Sequence, residues 1–130
     1  GLRNARLGFR QVEETHIMEN IVYNELRARG FSVDVGSVVK ARRVDGKVVR
    51  KQLEVDFVAN LGSRRYYIQS ALHLPDEEKT HQEKAPLREV PDSFSKIVLV
   101  RDVVKPIYDN EGILTMSVLD FLLDDESLPK

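Results

Sequence analysis

The sequence predicts an α/β domain with a mixed β-sheet flanked by helices, in the order αβββαβ followed by a C-terminal strand and a short helix. Three stretches carry this prediction: a helical pattern that ends at Gly30, two strand-like segments joined by a turn within residues 52–71, and a run at residues 96–100 that is continuously apolar after Lys96. Such an apolar run is typical of a strand buried on both faces. We therefore expect three antiparallel strands first, and then a further strand reached through a crossover helix.

Composition and charge indicate an ordinary globular domain and exclude several function classes. A chain of 130 residues, with 42% hydrophobic and 32% charged residues, can bury a core and does not resemble a disordered protein. Its net charge of -1 gives no global attraction to nucleic acid or anionic membranes, so such binding would need a local basic patch. The sequence has no cysteine and no apolar run near the roughly 20 residues of a membrane span. We expect a cytoplasmic protein without a membrane partner.

The first 12 residues form a basic stretch that we expect to be irregular. Arg3, Arg6 and Arg10 alternate with apolar residues, and the chain opens at Gly1 without an initiating Met. We interpret residues 1–12 as an arm or linker, and residues 13–130 as a single domain that belongs to a longer protein. The arginines are either solvated or form a strip that contacts phosphate groups.

Residues 13–30 contain the strongest helix pattern in the chain. Thr15, or the acids before it, can favour the N-terminus of this helix, and Gly30 follows as a C-cap. Its apolar stripe consists of Met18, Ile21, Val22 and Leu26. Glu19 and Glu25 lie on the same helix, and either one is a candidate to face inward.

Three strands joined by two turns follow the first helix. Residues 31–40 alternate as a strand does, and Asp45-Gly46 is a strong signal for a two-residue hairpin turn. On the later pair of strands, Asp56 projects from one sheet face near a strand end. We expect Gln69 and Ala71, at alternate positions of the neighbouring strand, to share that face.

The C-terminal half predicts the remaining elements. Acids after Pro75 open a helix in residues 76–84, and Pro86 must kink or end it. The run at residues 96–100 predicts a buried strand. Residues 113–118 predict one more short strand, and residues 119–123 a short helix that leads into an acidic tail.

These residues resemble a known superfamily. The element order is similar to the core of the PD-(D/E)XK nucleases, which is the restriction-endonuclease-like fold. More closely, the chain resembles a domain of unknown function that follows the P-loop ATPase module of many bacterial and archaeal AAA-type ATPases. The resemblance rests on THIMENIVYNEL, QLEVDFV and RRYYIQSA. It implies an ATPase module upstream in the same chain, and ATP would bind only there.

The resemblance also implies a site. In the superfamily, a helix Glu, a strand Asp and a Glu-x-Lys on the next strand hold Mg²⁺ or Mn²⁺ and position the attacking water. Carried over by position, these residues are Glu19, Asp56, Gln69 and Ala71. Gln69 lacks the charge of a carboxylate, and Ala71 has no functional group. Loss of a positioned cation costs a factor of about 100 to 1,000 in rate, so hydrolysis should be crippled.

Three functions stay open. The favoured one is a degenerate nuclease-like domain that binds DNA or a protein and regulates its ATPase. The second is an active metal-dependent nuclease in which Lys79 or Lys84 replaces the lost lysine, and the third is a structural domain that helps the ATPase assemble. Glu19, Asp56 and Gln69 within metal-ligand reach would favour the first two, whereas an Asp56 bonded to backbone would favour the third.

Basic residues form the densest charged area of the sequence. As exposed hairpin charges they would be solubilising, whereas beside the cleft they would hold a phosphate backbone. The predicted nucleic-acid-binding residues are Arg42, Arg43, Arg50, Lys51, Arg64 and Arg65, with Lys47 close by. His73 continues the alternation of Gln69 and Ala71, and it is either a surface residue or a neighbour of Asp56.

Overall fold

The structure, a computed structural model, describes the backbone of residues 2–129 and the side chains of residues 10–129. Three helices and six strands follow one another within this range. They are α1 (Leu2–Ala28), β1 (Ser32–Val44), β2 (Lys47–Leu61), β3 (Arg64–Ala71), α2 (Glu77–Arg88), β4 (Ser95–Val100), β5 (Ile107–Tyr108), β6 (Ile113–Ser117) and α3 (Val118–Leu123). None of these helices combines the length and apolar character that a membrane crossing requires.

One mixed sheet contains all six strands of the described range, in the order β1-β2-β3-β4-β6-β5. The strands β1, β2 and β3 are antiparallel neighbours, whereas β4 is parallel to both β3 and β6. The predicted antiparallel meander, and the crossover through α2 to a parallel strand, are therefore confirmed. The two-residue strand β5, which pairs antiparallel with β6, was not predicted.

The core lies on both faces of the sheet. On one face, α1 and α3 cover the sheet, and Val22, Leu26 and Phe121 have no exposed surface. On the other face, Leu87 of α2 packs on the sheet, also without exposed surface. Residues 97–100 of β4 contribute alternately to the two faces and are at most 2% exposed, which confirms a strand buried on both sides.

Helix α1 begins earlier than the sequence pattern predicted. It runs without interruption from Leu2 to Ala28, so the prediction of an irregular arm is wrong for the backbone of residues 2–12. Leu, Arg, Ala and Gln are good helix formers, and no proline interrupts the segment. Thr15 lies inside the helix, where its hydroxyl donates to the carbonyl of Gln11 at 2.8 Å, so Thr15 is not a cap. The predicted phosphate-contacting strip involves Arg3 and Arg6, whose side chains lie outside the described part.

Gly30 ends α1 as predicted. Its φ of 93° is strained for any residue with a Cβ, and its N–H donates to the carbonyl of Arg27 at 3.0 Å. The N–H of Phe31 donates to the carbonyl of Leu26 at 3.0 Å. Together these bonds form a Schellman motif, which turns the chain directly into β1.

The strands β1 and β2 extend beyond the sheet as a two-stranded ribbon, which we define as residues 39–52. Asp45 and Gly46 both have positive φ angles, 51° and 77°, as a type I′ turn requires, so the predicted hairpin is confirmed. Strand β3 pairs only with residues 57–61 of β2, and residues 41–52 are exposed. Each strand of the ribbon has six residues, and six residues of extended chain span about 20 Å, which is the length of the ribbon.

Helix α2 begins where its sequence signals predict, but it extends through Pro86 to Arg88, beyond the predicted residues 76–84. The carboxylate of Asp76 accepts the N–H of Lys79 at 2.7 Å and caps the N-terminus. Pro86 lies in the last turn, and the helix ends two residues later at Arg88. The helix thereby connects β3 to β4 across one face of the sheet.

Candidate functional site

A β-bulge in β2 sets the position of Asp56. Gly36 of β1 pairs with Val55, and Asp34 pairs with Val58, so β2 has one residue more than β1 in this interval. Asp56 lies inside the bulge. Bulges bend a strand and redirect the side chains that they carry, and they occur often beside active sites.

Strands β2 and β3 separate at this bulge, and two side chains complete their pairing. The last regular pair is Phe57 with Ile68. Beyond it, the side-chain oxygen of Gln69 accepts the N–H of Asp56 at 2.7 Å. The carboxylate of Asp56 accepts the N–H of Ser70 at 2.9 Å and its hydroxyl at 3.4 Å. Asp56 thus bonds to Gln69 through its backbone N–H and to Ser70 through its carboxylate, so the two predicted residues meet where the strands separate.

The amide of Gln69 is fully engaged. Besides its bond to the Asp56 N–H, it donates from Nε2 to the carbonyl of Glu83 in α2 at 3.3 Å. The residue is only 5% exposed. Its oxygen is therefore directed at backbone, and a metal ion would have to break that bond to gain a ligand.

Acidic groups surround Asp56. Burial raises the pKa of Asp56 to about 6, because removal from water disfavours the charged form. The N–H of Ser70 lowers this pKa, whereas the carboxylates of Glu19 on α1 and Glu83 on α2 raise it. The structure thus brings Glu19, Asp56 and Gln69 to one end of the sheet, between the two helices.

A cleft of about 530 Å³ opens between α1 and α2, and Ser70, the hydrogen-bond partner of Asp56, lies in its wall. Ala71, which stands where the superfamily has its lysine, lines the cleft and is 5% exposed. His73 is exposed at the same cleft, next to α1 residues that include His16. The position that should carry a cation is therefore a small apolar patch on the cleft wall.

The two candidate replacement lysines have different surroundings. Lys84 is 8% exposed and donates to Asp109 at 2.8 Å, so it fixes the loop between β5 and β6. Burial alone would raise the pKa of Asp109, but the ammonium of Lys84 and two backbone N–H groups hold it below its usual value. Lys79 lines the cleft, with its ammonium 3.1 Å from the carboxylate of Glu83. Of these two lysines, only Lys79 lies at the cleft.

The residues do not fit a Mg²⁺ or Mn²⁺ ion in this arrangement. Hard divalent cations require several free oxygen ligands. Gln69 uses its side-chain oxygen, and Asp56 one of its two carboxylate oxygens, to join β2 to β3. No group of three or more His, Cys, Asp or Glu in the described chain could hold a metal ion. The metal-binding role of Glu19, Asp56 and Gln69 stays a prediction from the resemblance.

The predicted basic residues lie at two opposite ends of β2. The prediction that they form one area is therefore wrong. Arg64 and Arg65 follow the turn after β2, about 35 Å from the ribbon as estimated from the rise of an extended strand. Arg64 donates to the hydroxyl of Tyr66 at 2.6 and 3.0 Å, and Arg65 donates to Asn60 at 2.7 Å. Both arginines are exposed, and both make hydrogen bonds within the protein.

The ribbon holds the remaining cations on two faces. Because directly paired residues share a face, the pairs Lys40–Lys51 and Arg42–Val49 lie on one side, where Lys40 reaches Glu89 beyond the end of α2 at 3.8 Å. The opposite side carries Arg43 and Arg50. Lys40 was not among the predicted residues, although its alternation with Arg42 would have placed it on the same face.

The fold is a mixed α/β fold with a six-stranded mixed sheet flanked by helices. No family model matches the sequence. A protein of Haemophilus influenzae described as uncharacterized is 33% identical over 123 residues, which are 95% of this chain and 27% of that protein. The chain therefore spans about a quarter of the length of this relative.

Proposed function

We propose that this chain is a PD-(D/E)XK-like domain that has lost the ability to hydrolyse nucleic acid. It binds nucleic acid through its ribbon, and it acts as the binding module of an AAA-type ATPase in the same protein. One observation carries the binding function. The ribbon holds six basic residues and one acid, whereas the whole chain has a net charge of -1. A projecting strand pair with this charge provides the local patch that the overall charge does not.

The nuclease-like core is supported by position. Asp56 lies where β2 and β3 separate, and Glu19 of the first helix is near enough to raise its pKa. The next strand carries Gln69 and Ala71 at the places of the Glu-x-Lys. This arrangement agrees with the resemblance in both element order and placement of the residues.

The loss of hydrolysis is supported by the hydrogen bonds of the same residues. A working site needs free carboxylates for the metal and a cation near the phosphate. In this chain Gln69 and Asp56 bond to backbone N–H groups, and Ala71 has no polar atom. The side chains of Gln69 and Asp56 hydrogen-bond the backbone where the two strands separate, and they do not serve as ligands of a metal ion.

Nucleic acid is favoured over a protein partner by the shape of the ribbon. A two-stranded β-ribbon fits the major groove of B-form DNA, and basic side chains along it would meet the phosphates at the rim of the groove. If all six cations displaced counterions, the logarithm of the affinity would fall with the logarithm of salt concentration at a slope of about -5. A steep salt dependence is therefore expected.

The test measures binding of a labelled DNA duplex by fluorescence anisotropy between 50 and 200 mM salt. We expect Arg42→Gln with Arg43→Gln to weaken binding at least tenfold and to flatten the salt dependence. Arg64→Gln with Arg65→Gln makes the same charge change at the other end of β2 and should leave binding nearly unchanged. Equal effects of the two variants, or no salt-dependent binding at all, would overturn the proposed function and favour a protein partner.

An active nuclease is the second candidate, because Lys79 lies at the cleft beside Ala71. It requires cleavage of DNA in Mg²⁺ or Mn²⁺ that is lost in Lys79→Met and retained in Lys84→Met. Absence of cleavage in the parent protein removes this candidate.

A structural role in assembly of the ATPase is the third candidate. The bond from Ser70 N–H to Asp56 favours it, because an acid that joins two strands needs no catalytic purpose. Wild-type salt-dependent binding to DNA would contradict a purely structural domain.

A further inference from the structure

A second cavity lies at the base of the ribbon, apart from the cleft. It has a volume of about 290 Å³ and is a partly open recess between the ribbon and Ala85 of α2. Its lining consists of three cations and three apolar residues: Lys40, Arg42, Lys51, Val49, Leu53 and Ala85. Lys51 precedes Asp56 by five residues of extended chain, or about 17 Å, so the two places are separate.

The cations at this cavity are poorly compensated. Lys40 and Lys51 are directly paired across the strands, an arrangement in which like charges repel. Glu89 lies 3.8 Å from Lys40, and no other carboxylate of the described residues comes within 4.0 Å of Lys40, Lys51 or Arg42. Lys40 is half-buried, which weakens its screening by water. A positively charged recess of this kind is stabilised by an anion.

Phosphate is the anion that this set of side chains suits best. The guanidinium of Arg42 can donate two parallel hydrogen bonds to phosphate oxygens. Lys40 on the same strand and Lys51 on the neighbouring strand add two point charges. The apolar floor formed by Leu53 and Ala85 offers no competing acceptor from side chains. A carboxylate would use the arginine equally well, but it would leave more of the total positive charge unpaired.

We propose that this cavity is a phosphate-binding site, held by Lys40, Arg42 and Lys51. It rests in part on the proposed function, in which the phosphate belongs to a nucleic acid strand that lies along the α2 side of the ribbon. A free phosphate or the phosphates of a nucleotide have the same chemistry and are the alternative source. The opposite side of the ribbon, with Arg43 and Arg50, then supplies only non-specific charge.

The experiment compares two double variants with equal charge change, Lys40→Gln with Lys51→Gln and Arg43→Gln with Arg50→Gln. Each is titrated with inorganic pyrophosphate by calorimetry and with a labelled oligonucleotide duplex by anisotropy, both at 50 mM salt. We expect the lysine pair variant to lose pyrophosphate binding and at least tenfold more duplex affinity than the arginine pair variant. Ala85→Glu, which places a carboxylate at the cavity without touching the ribbon, should also abolish pyrophosphate binding.

The outcomes separate this site from the proposed function. Duplex binding that both double variants weaken equally, without binding of pyrophosphate, overturns the phosphate site and leaves the proposed function intact. Pyrophosphate binding that depends on Lys40 and Lys51, without duplex binding, supports the site with a free phosphate or nucleotide as its ligand and contradicts the proposed function. If neither probe binds the parent protein, both fail. Thermal unfolding of each variant verifies that the substitutions leave the fold unchanged.

Discussion

The side-chain oxygen of Gln69 accepts the backbone N–H of Asp56 at 2.7 Å, across the gap where β2 and β3 separate. In return, the carboxylate of Asp56 accepts the backbone N–H of Ser70 at 2.9 Å. Backbone groups that leave a sheet ladder need other partners when they are partly buried, because an unsatisfied donor costs about 1–3 kcal/mol. The two side chains meet this need, and the same bonds occupy the side-chain oxygen of Gln69 and one carboxylate oxygen of Asp56.

Asp56→Asn should stabilise the protein at pH 8 by about 1–3 kcal/mol, and urea unfolding checks this. Burial raises the pKa of folded Asp56 to about 6 from its usual 3.8, so the folded state binds the proton more tightly than the unfolded state. Stability therefore falls as pH rises from about 4 to 6, and the cost is fully present above about pH 6. Asparagine keeps an oxygen that can accept the Ser70 N–H but carries no charge.

The advantage of Asp56→Asn should vanish near pH 4, where the carboxyl is neutral in both states. Glu54→Gln is the matched control, because Glu54 is an exposed acid two residues earlier on β2. It should change stability by less than about 0.5 kcal/mol at either pH. A less stable Asp56→Asn protein at pH 8 would mean that the charge itself holds the strands together.

Gln69→Glu should destabilise the protein by about 3 kcal/mol at pH 8, because it buries a carboxylate close to Asp56 and Glu83 and removes an amide donor. Millimolar Mn²⁺ should restore part of the loss, since an ion at 100 times its Kd stabilises by about 2.7 kcal/mol. Thermal unfolding with Mn²⁺ and with EDTA measures both effects.

The exposed substitution Gln52→Glu adds the same charge on β2 and should show neither change. If Mn²⁺ stabilises the parent protein and Gln69→Glu to the same extent, the metal binds somewhere else. In that case, the replacement of the superfamily's Glu by Gln69 does not explain why this domain lacks a metal site.

Local sequence rules predicted those parts of the fold in which one residue determines the backbone. Gly30 ends a helix because only glycine adopts its φ at no cost, and Asp45-Gly46 closes a two-residue turn because Asp tolerates a positive φ better than most residues and Gly adopts it freely. The apolar run at residues 97–100 could lie only where both faces are covered. Each of these signals is complete within a few residues.

The other features depend on partners that are distant in sequence. The bulge at Asp56 is visible only when β1 is aligned with β2, where Gly36 leaves room: a Cβ at Gly36 would lie 2.6 Å from a methyl group of Val58. The pairing of Lys84 with Asp109 joins residues 25 apart. Periodicity cannot reveal such pairs, which is why both lysines of α2 looked equally able to reach the cleft.

Lys84→Met should lower the free energy of unfolding by about 1–3 kcal/mol at pH 7, because it leaves the partly buried Asp109 without its ammonium partner. The pKa of Asp109 is lowered in the folded state, so this stabilisation is present above the usual carboxyl range and is lost as pH falls through the folded pKa. The difference between parent and variant should therefore shrink below about pH 4.

Urea unfolding of Lys84→Met is compared with that of Lys79→Met, whose ion pair with Glu83 is more exposed and should contribute less than about 1 kcal/mol. A difference that stays constant from pH 7 to pH 3 would show that the aliphatic stem of Lys84, and not its charge, is what matters.

Arg29→Lys should lower the free energy of unfolding by about 1–2 kcal/mol, although the charge is kept. The guanidinium of Arg29 lies 4.4 Å from the centroid of the Phe121 ring and donates to the carbonyl of Asp124 at 3.2 Å, so it joins the end of α1 to the end of α3. An ammonium cannot stack on the ring and donate to several carbonyl groups at once. Arg27→Lys, on an exposed position one half-turn earlier, is the control and should be neutral. Equal small effects of the two substitutions in urea unfolding would mean that α3 is held by Phe121 burial alone.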